Sequence, residues 1–200
     1  HYFPLPAFSA LSEVIYGKFR RVIVIGLPCH ITSLRLSEKR IKKLKKRVFL
    51  SIGLFCGGTT DFRMAQHLES RVGISGRSQA IMFRQGHWPG AIKVVEDSNK
   101  SHELNGIQRD YHQFTALLPA CMYCADHSAE LADISVGDPW LPKILNRADG
   151  GYSSIVTRTN TGNDIISEMI ANRNLICENS SADEVIEGQR GPIDFKKRGL

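Results

Sequence analysis

Two of the five cysteines in this 200-residue chain, Cys121 and Cys124, are separated only by Met122 and Tyr123. A C-x-x-C spacing lets two thiolates face one metal from a single turn of backbone. Taken alone, the pair could equally be a structural or redox dithiol. Cys29 and Cys56 bring the set to four thiols. Four is the number that a Cys-ligated iron–sulfur cluster or a structural zinc requires. Cys177 lies in the alternating apolar segment Asn174-Leu-Ile-Cys-Glu178 and reads as a small core residue. An odd cysteine count fits a secreted disulfide framework poorly and a reducing, cytoplasmic compartment better.

The elements around these thiols decide whether they can meet. Arg21-Val-Ile-Val-Ile25 is a short β-branched run, the pattern of a buried strand, and it ends at Gly26-Leu-Pro-Cys29. From Ile31 the apolar positions Leu34, Ile41, Leu44 and Val48 take a helical spacing among many lysines and arginines. A second buried strand runs from Val48 to Phe55 and ends at Cys56-Gly57-Gly58. Thr59-Thr60-Asp61 then starts a helix that continues from Phe62 to Arg71. Strand, helix, strand with a crossover of this length predicts a parallel βαβ unit. If its strands are neighbours, Cys29 and Cys56 emerge at the same sheet edge, where open α/β sheets bind ligands. Cys29 also starts a helix, where the dipole favours a thiolate.

Further elements are expected at Leu11–Tyr16 (helix), Ile81–Arg84, Ala91–Glu96, Ile134–Val136 and Ser154–Arg158 (strands), and about Asp164–Asn172 and Ala182–Glu187 (helices). A turn over Thr159–Gly162 and a basic C-terminal tail complete the reading. The fold class is α/β, a mainly parallel sheet with flanking helices and the cluster site at the C-terminal strand edge.

Other residues suggest an anionic or flavin cofactor. Asp138 in Gly137-Asp-Pro-Trp140 ends a strand and could bond a flavin ribityl or ring N–H, although a turn aspartate would look the same. Gly150-Gly-Tyr-Ser-Ser154 could bring backbone N–H groups to a pyrophosphate, or be a plain turn. Arg84, with His87 and Trp88, could touch an anionic cofactor or be a solvated loop. The net charge of +6 suits an acidic partner, and much of it lies between Arg35 and Arg47. No interleaved aromatics, helix-turn-helix, zinc-finger or RNP pattern supports nucleic-acid binding. No apolar run approaches the roughly 20 residues of a membrane span. The opening HYFPLP lacks both signal-peptide regions and an initiator Met, so a piece of a longer chain is expected.

Six segments, taken together, resemble one family. They are Val24-Ile-Gly-Leu-Pro-Cys-His-Ile-Thr-Ser-Leu34, Ile52-Gly-Leu-Phe-Cys-Gly-Gly58, Phe83-Arg84 with Trp88, Cys121-Met-Tyr-Cys124, Leu131-Ala-Asp-Ile-Ser-Val-Gly-Asp138 and Gly151-Tyr-Ser-Ser-Ile-Val156. Their order is similar to the C-terminal domain of the coenzyme F420 hydrogenase/dehydrogenase β subunits, the FrhB/FdhB-like flavoproteins. The resemblance implies residues 1–17 as the remnant of a preceding flavin-binding region and 18–200 as the domain itself, cut at both ends. It implies an oxidoreductase passing electrons between a [4Fe–4S] cluster held by Cys29, Cys56, Cys121 and Cys124 and an FAD. Gly26, Arg84, Asp138 and Ser153 would be flavin contacts. The implied partners are a redox protein or ferredoxin-type carrier and a small hydride donor or acceptor such as F420, and some relatives are linked to polysaccharide biosynthesis. The family's Gly-Thr-Pro-Cys stands here as Gly26-Leu-Pro-Cys29, and Gln85-Gly86 replaces the usual basic residue after Arg84. The rivals are a scaffold module stapled by zinc through the same four cysteines, a thiol enzyme using Cys29 beside His30, and a nucleic-acid binder through the basic helix.

Overall fold

The fold is that of a computed structural model, which describes residues 11–88, 90–104, 114–147 and 151–198. The chain divides into two compact units. Among the described residues, 11–57, 124–144 and 152–198 form one; 58–88, 90–104, 114–123, 145–147 and 151 form the other.

The larger unit holds a four-stranded sheet in the order β1-β2-β6-β7. Its strands are β1 (Val22–Gly26), β2 (Val48–Leu54), β6 (Ile134–Gly137) and β7 (Ser154–Thr157). β1 and β6 both run parallel to β2, and β7 returns antiparallel beside β6. The mainly parallel sheet read from the sequence is therefore present, with its βαβ unit closed by direct β1–β2 pairing.

The crossover differs from the expected single helix. Helix α2 (Pro28–Arg40) stops at Ile41, and a second helix, α3 (Lys42–Arg47), follows at once. Ile41 has φ −112° and ψ 89°, outside the helical region, and its N–H still bonds the Ser37 carbonyl. The break lets Ile31, Leu34 and Leu44 all be buried, each at most 1 % exposed. It leaves Lys39, Arg40, Lys42, Lys43, Lys45 and Lys46 exposed, with no carboxylate paired to them among the described residues. Arg47 turns inward, and its Nη1 donates to the carbonyls of Val14 and Gly17 at the end of α1 (Leu11–Tyr16).

A half-buried carboxylate joins these pieces. Asp133 Oδ2 accepts from Ser51 N–H at 2.8 Å, Ser51 Oγ at 2.8 Å and Arg35 Nη2 at 3.0 Å. Its Oδ1 accepts from Thr159 Oγ1 at 3.0 Å. Thr159 in turn caps α7 (Asn160–Ala171) by accepting the Gly162 N–H. That cap starts α7 four residues earlier than the sequence pattern suggested, because the hydroxyl turns the expected Thr159–Gly162 bend into the first helical turn. The expected basic tail is also ordered. After α8 (Ala182–Gly188), residues Arg190–Arg198 form helix α9, with Lys196 only 3 % exposed.

The second unit has its own core and was not anticipated as a separate body. Strands β3 (Ala80–Gln85), β4 (Ala91–Val95) and β5 (Ser101–Leu104) make an antiparallel sheet. Helix α4 (Arg63–Arg71) packs Met64 and Leu68 against Ile92, Val94, Leu104 and Ala116. The short helix α5 (Pro119–Met122) carries the first half of the C-x-x-C. The remaining helix, α6 (Pro142–Leu145), follows Trp140. No described helix is long and apolar enough to cross a membrane.

Burial of Asp133 alone would raise its pKa. The Ser51 hydroxyl and N–H, the Arg35 charge and the Thr159 hydroxyl outweigh that and hold it below the ordinary carboxylate value. A depressed folded pKa means the contribution is complete above the unfolded value, about 3.9, and is lost as pH falls through the lower folded one. Asp133→Asn is expected to cost roughly 1–3 kcal/mol near neutrality. It is also expected to flatten the acid side of the stability profile, read from denaturant midpoints between about pH 7 and 3.

Candidate functional site

The parallel strands all point one way, so their C-terminal ends define one edge of the larger unit's sheet. Gly26 ends β1 opposite Gly53, and Gly137 ends β6 opposite Ser154 of β7. Cys29, in the first turn of α2, Cys56, two residues past β2, and Asp138, just past β6, therefore belong to this edge. Ser153 joins them because β7 is antiparallel and begins where β6 ends. Cys124 opens the segment that leads from the C-x-x-C to β6 in the same unit.

Local chemistry explains each position. Pro28 suits the first helical position, where its missing N–H costs nothing. His30 folds back so that its Nδ1 accepts the Leu27 N–H at 3.2 Å, a capping arrangement that burial accompanies with a lowered His30 pKa. Gly26 is needed for that packing: a β-carbon there would lie 2.9 Å from the His30 β-carbon. Cys29 itself is exposed.

Cys56 is half-buried and its backbone is held on both sides by His127. The Cys56 N–H donates to the His127 carbonyl at 2.9 Å, and the Cys56 carbonyl lies 3.1 Å from His127 Nδ1. The preceding Phe55 donates its N–H to Val136 at 2.8 Å and sets its ring 5.6 Å from that of His127. Cys124 is half-buried, and its Sγ lies 3.4 Å from the Asp126 carbonyl. Lys197 pairs with Glu130 at 2.7 Å. Its pKa is raised chiefly by that bond, with smaller contributions from Asp126 and Cys124, and burial opposes them. Arg158, just past β7, donates to Ser128 Oγ at 3.0 Å and to Ser135 Oγ, and burial lowers its pKa.

Cys121 belongs to the other unit, where its Sγ accepts the Thr59 N–H at 3.3 Å. Arg84 also lies there, exposed on β3. None of the five cysteines is in a disulfide. Cys177 is exposed rather than a core residue, since the Asn174–Glu178 segment forms no described strand that would bury it. Gly150, named with the candidate pyrophosphate loop, lies outside the described residues. Among the described residues, no three His, Cys, Asp or Glu side chains are gathered closely enough to hold a metal ion. The donor chemistry nevertheless fits a thiolate-ligated group. The set offers four undisulfided thiols, one of them at a helix start and one already accepting a backbone N–H. His127, Gln189 and Arg158 escape sequence reasoning. Only the place of His127, three residues after the C-x-x-C, hints at its role.

Residues 19–183 match the family described as the C terminus of the coenzyme F420 hydrogenase/dehydrogenase beta subunit. A coenzyme F420-dependent sulfite reductase of Methanocaldococcus jannaschii is 27% identical over 179 residues, covering 82% of this chain and 26% of the relative. A subunit of the F(420)H(2) dehydrogenase of Methanosarcina mazei is 23% identical over 196 residues, covering 97% of this chain and 51% of that protein. In fold, the chain is similar to one in the F420-reducing [NiFe] hydrogenase complex of Methanosarcina barkeri. That match has TM-score 0.68 and 21% identity, and covers 98% of this chain and 66% of the other. The chain thus spans between about a quarter and two thirds of these proteins.

Gly137→Ala tests how tightly the strand edge is built. A β-carbon there would lie 2.3 Å from the Phe55 ring, so the ring and the Phe55–Cys56 backbone must shift. The expected outcome is a loss of about 1–3 kcal/mol in denaturant stability, with a changed rate of Cys56 alkylation measured by peptide mapping.

Proposed function

The chain belongs to the family formed by the C-terminal domains of coenzyme F420 hydrogenase/dehydrogenase β subunits, and from that premise we propose that it is the cluster-bearing part of an oxidoreductase. Cys29, Cys56, Cys121 and Cys124 are the proposed ligands of one [4Fe–4S] cluster. Gly26, Asp138 and Ser153 on the sheet edge, with Arg84, are the proposed FAD contacts. The observation that carries the reading is the strand edge itself: the ends of β1, β2 and β6 deliver Cys29, Cys56 and Asp138 to one side of a parallel sheet. Ligands of open α/β sheets bind on that side.

When bound, the cluster exchanges single electrons and the flavin couples them to hydride chemistry. The protein's own contribution is positional and electrostatic. The first turn of α2 presents Cys29 where N–H groups and the helix dipole favour a thiolate. The Thr59 N–H donates to the Cys121 sulfur and so helps hold that side chain in place. Clamping of the Cys56 backbone by His127 fixes the point on the strand edge from which that thiol projects. A hydride donor or acceptor of the F420 kind, a protein redox partner and a cytoplasmic setting complete the proposal; the names of the F420-linked relatives support the first. The cationic ridge over Lys39–Lys46 suits an acidic partner. Its first two residues, Lys39 and Arg40, lie at the far end of α2, about 16 Å along the helix from Cys29, and the rest follow on α3. A partner docked there is held away from the thiols.

The test is anaerobic reconstitution of the full-length protein, with iron, sulfide, zinc and flavin counted on one sample. About four irons per chain, a broad visible absorption bleached by dithionite, and released flavin are expected. About one zinc per chain, with neither iron nor flavin, would overturn the reading in favour of a zinc-stapled scaffold.

A further inference from the structure

Gln189 joins α8 to α9 and lies past residue 183, where the family match ends. It is nevertheless among the most buried polar residues, 2 % exposed, and its partner His127 is 4 % exposed. Gln189 Oε1 lies 2.9 Å from His127 Nε2, and Gln189 Nε2 donates to the Asp138 carbonyl. The other ring nitrogen of His127 faces the Cys56 carbonyl at 3.1 Å, while the His127 carbonyl takes the Cys56 N–H. One side chain from the C-terminal helix pair therefore bridges two strand ends, that of β6 at Asp138 directly and that of β2 at Cys56 through a single imidazole.

Two further contacts fix the pair in place. Gly188 packs on Trp140 and Leu141: a β-carbon on it would lie 3.3 Å from Leu141 Cγ and 3.4 Å from the Trp140 nitrogen. At the far end of α9, Lys197 holds Glu130 at 2.7 Å, in the segment that begins at Cys124. Burying an amide and an imidazole is costly unless their polar atoms find partners; both ring nitrogens of His127 face oxygens, so a neutral ring donates to Gln189 Oε1 or to the Cys56 carbonyl, one at a time.

We propose that Gln189 is a positioning residue for the thiol site: through His127 it fixes the backbone of Cys56, and the α8–α9 pair is thereby part of the site. The proposal rests on the reading of Cys56 as a cluster ligand. Hydrogen-bonded groups behind metal ligands orient them, and their loss typically weakens metal binding by about 10–100-fold.

The experiment compares wild type, Gln189→Met, His127→Phe and Cys56→Ser, each as the full-length protein reconstituted anaerobically. Gln189→Met keeps the volume and removes both hydrogen bonds. Iron is counted, the dithionite-reduced sample is read by EPR, and the rate of iron loss to a chelator is followed. Gln189→Met is expected to fold, as judged by far-UV circular dichroism, and to bind iron. Its EPR line shape is expected to differ from wild type, and its iron to leave about ten-fold faster. His127→Phe should show the same two changes, and it carries the test if Gln189→Met does not fold. Leu104→Ala, in the core of the other unit, controls for plain destabilisation and should leave the EPR line shape as in wild type. Wild-type line shape and wild-type chelation rate in Gln189→Met or His127→Phe, alongside iron loss in Cys56→Ser, overturn the positioning role alone. Absence of iron from wild type, or full iron retention in Cys56→Ser, overturns the cluster reading and this proposal with it.

Discussion

The carboxylate of Asp133 is the point on which the larger unit turns. It takes the Ser51 N–H and hydroxyl from β2, the Arg35 guanidinium from α2 and the Thr159 hydroxyl that caps α7. A charge removed from water is tolerable only when its lone pairs are filled, and here four donors fill them. The donors come from three different parts of the sheet unit, so satisfying the charge fixes their mutual placement. Glu38 extends the arrangement by pairing with the same Arg35 at 3.0 Å. With α2 locked at Arg35, less than two turns from Cys29, the direction from which the first thiol approaches the strand edge is locked as well.

That edge shows a division between what holds and what acts. On the covered side of the sheet, Ile31, Ala129 and Ala132 pack together as a small apolar cluster. Past the strand ends the contacts become polar and directional: His127 to Cys56 and Gln189 to Asp138. Directional bonds at the rim set the angles of short loops, which apolar packing alone would leave loose.

The parts of this fold that were legible in the sequence are those governed by local pattern. β1 and β2 are short β-branched runs between glycine-bearing turns, and both form where expected, as does their parallel pairing. The helix break at Ile41 was not legible, because Ile41 continues the apolar spacing and only tertiary packing of Leu44 shows the offset. In sequence α9 looks like a tail, because Arg190-Gly-Pro-Ile-Asp-Phe-Lys-Lys-Arg198 has a glycine, a proline and many charges. Its stability comes from contacts such as Lys197 with Glu130. Of the candidate site, Cys121 and Cys124 are visible by their spacing, and Cys29, Cys56 and Asp138 as residue types at strand ends. His127 and Gln189 were not, since their partners are mainly backbone groups of residues about 50 to 70 positions away, which no spacing rule encodes.

Helix α2 has one further property that bears on how such a domain changes over time. Its thiol end and its cationic end are separated by about 16 Å, roughly two Debye lengths at physiological ionic strength, where screening acts over about 8 Å. Charge gained or lost at Lys39 and Arg40 is therefore nearly invisible at Cys29. The lysine ridge is free to drift with whatever surface it meets while the chemistry at the other end stays as it was. The reactive end of α2 can thus stay as it is while its basic far end, and the α3 that follows, meet a sequence of different surfaces.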